Sequence, residues 1–189
     1  MRILSLLSFL PLLATAQVTL PENALEGLAL HLQDDAGNIT YIHESEFQNH
    51  GISILDGVGM NSTNLTSLET RGGPGDNIVC DTPIIDIEDV RTILIVFADY
   101  LGCGSIISVP FRPKFKNSII SYYQGSAVVY ICNYASTTDS YTGPNLVSYL
   151  SQAFTHCGET NTAAWYYIGR LKESWGYTNA ANWFCGPPN

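Results

Sequence analysis

Five cysteines constrain this chain more than any other feature of its sequence. They are spread over the second part of the chain, at Cys80, Cys103, Cys132, Cys157 and Cys185. In an oxidising compartment they allow two intrachain disulfides and leave one thiol over. Leaving out each cysteine in turn and pairing the other four in three ways gives fifteen arrangements, and spacing alone does not choose among them. The fold must therefore bring two pairs of distant cysteines together.

Residues 1–16 have the pattern of a secretory signal peptide. Arg2 supplies a positive start, residues 3–13 form an apolar stretch, and Ala14-Thr15-Ala16 is the small-residue pattern that precedes cleavage. Pro11 and the abrupt end of the apolar stretch disfavour the alternative of a buried N-terminal helix. We expect cleavage before Gln17 and an extracellular mature protein.

Three Asn-x-Ser/Thr triplets are candidate acceptors for N-glycans on this route. They begin at Asn38, Asn61 and Asn64. All three precede residue 67, which predicts an exposed, glycosylated segment before that point.

Charge and hydropathy argue against two classes of partner. The chain has 8 Lys and Arg residues against 17 Asp and Glu residues, a net charge of -9 and a pI near 4.6. Neutralising a phosphate backbone needs clustered basic side chains, so we expect no nucleic-acid partner. No run approaches the roughly 18 to 20 apolar residues that span a bilayer, so we expect no stable membrane insertion.

The mature chain divides into two parts of different chemistry. Residues 17–71 carry eight acidic residues, one basic residue and no cysteine, whereas residues 72–189 carry nine acidic residues, six basic residues and all five cysteines. The glycine and proline cluster at 71–75 marks the boundary. In the first part, alternating runs at 27–33 and 39–43 around an Asp/Gly/Asn turn predict a β-hairpin, and residues 49–70 have the composition of a linker. Because an isolated hairpin is marginally stable, this one either packs on the second part or belongs to a pro-region removed near Arg71.

The second part predicts an α+β fold. Apolar residues at helical spacing, with Asp86 as a cap, predict a helix over 86–101 that Gly102 ends, and a second helix is predicted over 144–157. The predicted strands are 77–80, 117–123, 126–134, 163–171 and 182–185, with 172–179 as a connection. The expected architecture is a small antiparallel β-sheet with two helices packed on one face and stapled by disulfides.

This arrangement suggests a pairing of the cysteines. Cys80–Cys103 and Cys157–Cys185 would each fasten a helix end to the sheet, at about 2 to 4 kcal/mol per bridge. Cys132 then remains as a free thiol, buried in the most apolar strand. The alternative is an exposed Cys132 that couples two chains; we otherwise expect a monomer.

Sequence motifs for catalysis are scarce. The chain contains no His-Glu-x-x-His, Gly-x-Ser-x-Gly, phosphate-binding glycine loop or Cys-x-x-Cys motif, so no catalytic residue and no cofactor are predicted. His31 and His43 would face each other across the predicted hairpin, but a third metal ligand is not identifiable, so no metal site is predicted. The acidic group Asp86, Glu88 and Asp89 is explained by helix capping.

Two segments suggest contact surfaces. Arg112, Lys114 and Lys116 alternate along one side of an extended segment, which indicates a basic patch for an acidic partner or, alternatively, protection of a sheet edge. The C-terminal part is rich in aromatic residues, and Trp165, Trp175 and Tyr177 are candidates for stacking on sugars, although buried aromatic residues are the commoner use.

Residues 76–186 resemble a known group of secreted proteins. The similarity rests on short motifs: Val79-Cys80, the strand from Ser126 to Tyr134, His156-Cys157-Gly158, Ala164-Trp165, Trp175-Gly176-Tyr177 and Phe184-Cys185. This pattern resembles small secreted cysteine-rich proteins of filamentous ascomycetes, and the necrosis-inducing effectors and killer toxins built as a two-helix α/β sandwich. Members usually carry six cysteines, and the fourth has no counterpart here near residues 139–141.

The resemblance implies a secreted, non-enzymatic effector or toxin-like protein that acts on host or competitor cells through surface contact. It implies no catalytic residues, and the target is unknown. The alternatives are a secreted carbohydrate-binding module that presents Trp165, Trp175 and Tyr177, and a secreted hydrolase of unrecognised type.

Overall fold

A computed structural model of the chain describes residues 18–50, 53–55, 77–102, 106–108, 115–135, 141–157 and 162–185, without side-chain surroundings for 53–55, 106–108 and 115–117. Two α-helices and a short 3-10 helix (Glu44–His50) accompany the strands in these ranges. The elements in chain order are β1 (Gly27–Asp34), β2 (Ile39–His43), β3 (Ser53–Leu55), β4 (Asn77–Ile84), α1 (Ile87–Leu101), β5 (Ile106–Ser108), β6 (Phe115–Gln124), β7 (Ala127–Asn133), α2 (Gly143–Cys157), β8 (Thr162–Ile168) and β9 (Glu173–Asn179).

Seven of these strands form one antiparallel sheet. Their order is β2-β1-β6-β7-β9-β8-β4, and β3 pairs with β5 in a separate two-stranded sheet. The predicted α+β class and the presence of disulfides are therefore confirmed. The prediction of a small sheet is wrong, because the sheet also takes in the N-terminal hairpin and β9.

The N-terminal hairpin is an integral part of this sheet. The predicted pairing of β1 with β2 is confirmed, and β1 also pairs with β6 from Gly27 opposite Tyr123 to Asp34 opposite Phe115. All of β1 is buried except Asp34. Of the two expectations for this hairpin, the structure shows packing on the second part of the chain.

Strand β9 was predicted as a connection, and that prediction is wrong. It lies between β7 and β8 and pairs with both. Trp175 and Tyr177 point to the main core, while Gly176 lies against Tyr130 on the other face. The segment contains three weak strand formers, Glu173, Gly176 and Asn179, and they obscure its alternation between the two faces of the sheet. Pairing with β7 and β8 is what makes this segment favourable as a strand.

The main core contains side chains from both helices and from alternate strand positions. Asp86 caps α1 by accepting hydrogen bonds from the backbone N–H groups of Glu88 and Asp89, and Gly102 ends the helix, as predicted. Burial of each large apolar side chain in this core contributes about 2 kcal/mol. The fully buried members include Leu28, Leu30, Val90, Ile93, Phe97, Leu146, Leu150, Val129 and Tyr177.

A second apolar cluster covers the opposite face of the central strands. Val18 and Phe184 exchange two backbone hydrogen bonds, with N–O distances of 3.0 and 2.8 Å, and both side chains are buried there. Ile119, Val128 and Tyr130 form the sheet side of this cluster. The predicted strand at 182–185 is thus reduced to one bridge with the N-terminal segment. We call Val18 and Phe184 together the terminal latch.

The disulfides differ from the predicted pairing. Cys80 bonds to Cys157, with Cα atoms 5.5 Å apart, and Cys132 bonds to Cys185, with Cα atoms 5.7 Å apart. The predicted pairs Cys80–Cys103 and Cys157–Cys185 are wrong, and so is the free thiol at Cys132. Helix α2 contacts β4 and β8, which brings its last residue to the edge strand, and the C-terminal segment crosses over β7. Cys103 lies outside the described residues.

Gly176 permits a close approach between β9 and an aromatic ring. A Cβ atom at this position would lie 2.5 Å from Cζ and Oη of Tyr130 and 2.8 Å from Cβ of Trp165. We expect Gly176→Ala to lower the free energy of unfolding by about 2 kcal/mol, because the buried ring must move from its packed position. Denaturant titration measures this loss. Gly37→Asn is the control, since a Cβ at Gly37 meets open space and asparagine tolerates its positive φ of 88°. Equal losses in the two variants would contradict the packing described.

Candidate functional surfaces

A shallow groove of about 680 Å³ runs between helix α2 and strand β4. Its helical wall carries hydroxyl, amide and imidazole groups, and the apolar Ile78 contributes from β4. Two of the polar side chains also bond within the helix: Thr155 Oγ1 donates to the carbonyl of Ser151 at 2.8 Å, and Gln152 Nε2 donates to that of Ser148 at 3.3 Å. The disulfide Cys80–Cys157 ties the two walls together at one end. The groove is therefore a mostly apolar surface with hydrogen-bonding groups along its helical wall, and the disulfide holds its two walls together.

The three residues predicted to stack on sugars do not share an exposed surface. Trp175 and Tyr177 are 2% and 1% exposed, and they pack in the main core. Phe154 of α2 stacks on Tyr177 with ring centroids 4.5 Å apart, and burial raises the pKa of Tyr177 to about 12. Trp165 packs with the cluster on the opposite face of the sheet. Because the three rings lie on two faces and two are buried, they do not form the predicted sugar-stacking platform, and carbohydrate binding itself stays an untested prediction.

The predicted basic segment enters the sheet at β6. Arg112 and Lys114 lie outside the described residues, and Lys116 falls in β6 with no description of its side chain. Asn117 pairs with Gln33 and Phe115 pairs with Asp34, so Lys116 is the extra residue of a β-bulge. A bulge redirects side chains and interrupts regular pairing. The backbone therefore gives Lys116 a special position at the end of β6 that meets the β1–β2 turn.

One of the three predicted glycosylation positions is described. Asn38 is exposed in the turn between β1 and β2, and its Nδ2 donates to Asp34 Oδ2 at 2.9 Å. Hydrogen bonds from Asn38 and Ala36 lower the pKa of the Asp34 carboxyl. Asn61 and Asn64 lie outside the described residues. Exposure at Asn38 agrees with the access that a glycan needs, and glycosylation itself stays a prediction.

The acidic residues at the start of α1 have structural partners. Besides its part in the helix start, Asp89 accepts hydrogen bonds from the backbone N–H and the hydroxyl of Ser126, at 3.0 and 2.7 Å. These two bonds lower the pKa of Asp89. The contact fixes the start of β7 against α1, in line with the structural role predicted for this acidic group.

Sequence reasoning missed a polar contact between the 3-10 helix that follows the hairpin and helix α1. The hydroxyl of Tyr100 donates to the Glu44 carboxylate, and burial together with this carboxylate raises the pKa of Tyr100. His43 Nε2 lies 4.0 Å from Glu44 Oε1 and 3.1 Å from the carbonyl oxygen of Glu26. More than fifty residues separate Glu44 from Tyr100, and no local pattern connects them. The contact adds a polar tie between the two parts of the chain.

His31 and His43 are not direct cross-strand partners. In the register of the hairpin, His31 lies opposite Tyr41 and His43 lies opposite Ala29. His31 instead shares a 2.8 Å hydrogen bond with Ser121 Oγ, and His43 bonds to Ser45. In the described ranges, no three His, Cys, Asp or Glu side chains come together as a metal-binding group. None of the helices in those ranges combines the length and hydropathy needed to cross a membrane.

Comparisons of this chain with models of protein families, with curated proteins and with solved structures find no match.

Proposed function

We propose that this chain is a secreted, disulfide-stapled effector or toxin-like protein that acts on host or competitor cells through surface contact. The two disulfides carry this proposal. Each joins residues more than fifty positions apart, and each holds an outer element against the sheet. Such bridges persist in an oxidising environment, where they stabilise small secreted domains. They are compatible with the extracellular location that residues 1–16 predict.

The contact surface in this proposal is the basic segment with Arg112, Lys114 and Lys116. A net charge of -9 makes a run of three alternating basic residues exceptional on this chain. The alternative, edge protection, is disfavoured for Lys116 because β6 lies inside the sheet, between β1 and β7. The acceptor would be an acidic group on the target cell, which the segment meets through charge complementarity.

Replacing the three basic residues together with serine tests the proposal. The unmodified mature protein, applied to plant leaf or to competing microbes, is expected to cause a cellular response. Each exposed ion pair contributes about 0.2 to 1 kcal/mol, so the triple variant should need at least about a threefold higher concentration for the same response.

The control removes the same number of charges elsewhere. It combines Arg91→Ser, Arg170→Ser and Lys172→Gly, with glycine chosen because Lys172 has a φ of 54°. All three residues are exposed, and the control should keep the full response. A response that is equally weak in both variants points to net charge rather than to this segment. No response to the unmodified protein contradicts the proposed function.

A further inference from the structure

His31 is a titratable side chain sealed beneath the terminal latch. It is 0% exposed and lies on the sheet face that Val18 and Phe184 cover. Its ring makes edge contacts with Phe184 and with Tyr41, at centroid distances of 5.5 and 5.2 Å. Nε2 is hydrogen bonded to Ser121, whereas Nδ1 has no hydrogen-bond partner among the residues that the structure describes. A protonated imidazole must donate from both nitrogens, and the described part of this site offers a partner to one of them.

The groups that the structure describes around His31 cannot compensate a positive charge. Tyr41 faces it from β2, Ser121 faces it from β6, and Tyr130 of β7 stacks on Phe184 with ring centroids 5.1 Å apart. Both tyrosines stay neutral in acid, and burial holds the pKa of Tyr130 well above its usual range. Burial is also the cause that lowers the pKa of His31 from 6.5 to about 4. A positive charge on His31 is therefore tolerated only in a state in which water reaches the imidazole ring.

The latch is the removable part of this enclosure. Outside the regular strands, Val18 and Phe184 hold each other by one isolated bridge. The other described walls are strands of the seven-stranded sheet. The disulfide Cys132–Cys185 keeps the C-terminal segment attached to β7. Opening therefore separates Val18 from Phe184 and lets the Phe184 side chain turn outward, while the C-terminal segment stays bonded to the sheet.

We propose that the terminal latch is an acid-responsive element, in which protonation of His31 opens the bridge between Val18 and Phe184 and exposes the apolar face formed by Ile119, Val128 and Tyr130. His31 stays neutral while the latch is closed, and it binds a proton when the latch is open. By linkage, acid then favours the open state. This inference is independent of the basic segment and of the target of the protein.

The sign and size of the effect follow from the two pKa values. Well above pH 6.5 His31 is neutral in both states, so the latch is most stable there. Stability is lost as the pH falls from 6.5 toward the closed-state pKa of about 4, because only the open state binds the proton in that interval. Between pH 7 and pH 5 the opening equilibrium should rise about 20-fold.

Hydrogen exchange of the mature protein measures this opening. The backbone amides of Val18 and Phe184 donate the two latch hydrogen bonds, so their protection reports the closed state. After correction for the intrinsic pH dependence of exchange, their opening should increase about 20-fold from pH 7 to pH 5. The amides of Phe97 in α1 and Ile131 in β7 should change less than about twofold. An equal change at core and latch amides indicates global unfolding and overturns the proposal, as does no change at the latch.

His31→Gln removes the titrating group and keeps a hydrogen-bonding partner for Ser121. The increase at Val18 and Phe184 should disappear in this variant and persist in His156→Gln, which removes an exposed histidine on α2. An increase that persists in His31→Gln overturns the proposal. Should that variant not fold, NMR titration of the His31 ring in the unmodified protein decides. Opening that follows the His31 protonation curve supports the latch, and opening with a different midpoint overturns it.

Discussion

A chain shortened to residues 72–189 is expected to lose cooperative folding. It lacks β1 and β2, which leaves the β1-facing edge of β6 unpaired. It also removes Leu28, Leu30 and Leu32 from the main core. At about 2 kcal/mol for each buried leucine, this removes roughly 6 kcal/mol of side-chain burial, comparable with the about 5 to 15 kcal/mol that stabilise a typical domain. Circular dichroism during heating should show no sharp transition for the shortened chain.

Cleavage after Arg71 in the folded protein provides the matched comparison. Residues 17–71 contain no cysteine, so no disulfide holds them to the rest. The two pieces should nevertheless stay together on a native sizing column, because β1 pairs with β6 along the whole strand. Denaturant without reductant should then separate them. A shortened chain that melts like the intact one contradicts this account and favours a removable pro-region.

Loss of either disulfide is the second large effect expected. The bridges close segments with sequence separations of 77 and 53 residues. Loop-closure entropy predicts that each contributes about 4 kcal/mol. Cys80→Ala with Cys157→Ala, and separately Cys132→Ala with Cys185→Ala, should therefore lower the free energy of unfolding by about this amount in denaturant titration.

Cys103→Ala is the control for both double variants. Cys103 belongs to neither bridge, and its replacement should change stability by less than about 1 kcal/mol. A loss at Cys103 as large as that of the Cys80 and Cys157 pair would indicate the pairing expected from sequence order.

Local patterns predict the helices and hairpins of this chain well. The start of α1 depends on the capping side chain of Asp86, and its end depends on Gly102, and both signals lie within a few residues of the element. The β6–β7 turn contains Gly125, whose φ of 60° suits glycine. In each case the decisive interaction connects near neighbours in the sequence.

Pairing between distant segments is what the sequence does not predict. The order of strands places β9 between β7 and β8, and that position makes a polar segment with an internal glycine into a central strand. The same strand order places α2 beside β4 and the C-terminal segment beside β7. These positions determine which cysteines pair in the disulfides. Trp175 and Tyr177 carry aromatic rings of the kind that stack on sugars. They are buried because the strand order places β9 inside the sheet.

The polar contacts likewise divide into those between near neighbours in the sequence, which are predictable, and those between distant segments, which are not. Helix capping by Asp86 was foreseen from its neighbours, whereas the Glu44–Tyr100 contact and the burial of His31 depend on β1 entering the sheet. The composition of residues 17–71 suggested a separate acidic segment. Burial along β1 instead makes the hairpin of this segment part of the sheet.

The most direct test is non-reducing mass spectrometry of the protein recovered from the medium of cells that express the full chain. We expect a chain that begins at Gln17, with peptides linked through Cys80–Cys157 and Cys132–Cys185. Retention in the cells with Met1 in place and five free thiols would contradict a secreted, disulfide-stapled protein, and linkage through Cys80–Cys103 and Cys157–Cys185 would contradict the fold described.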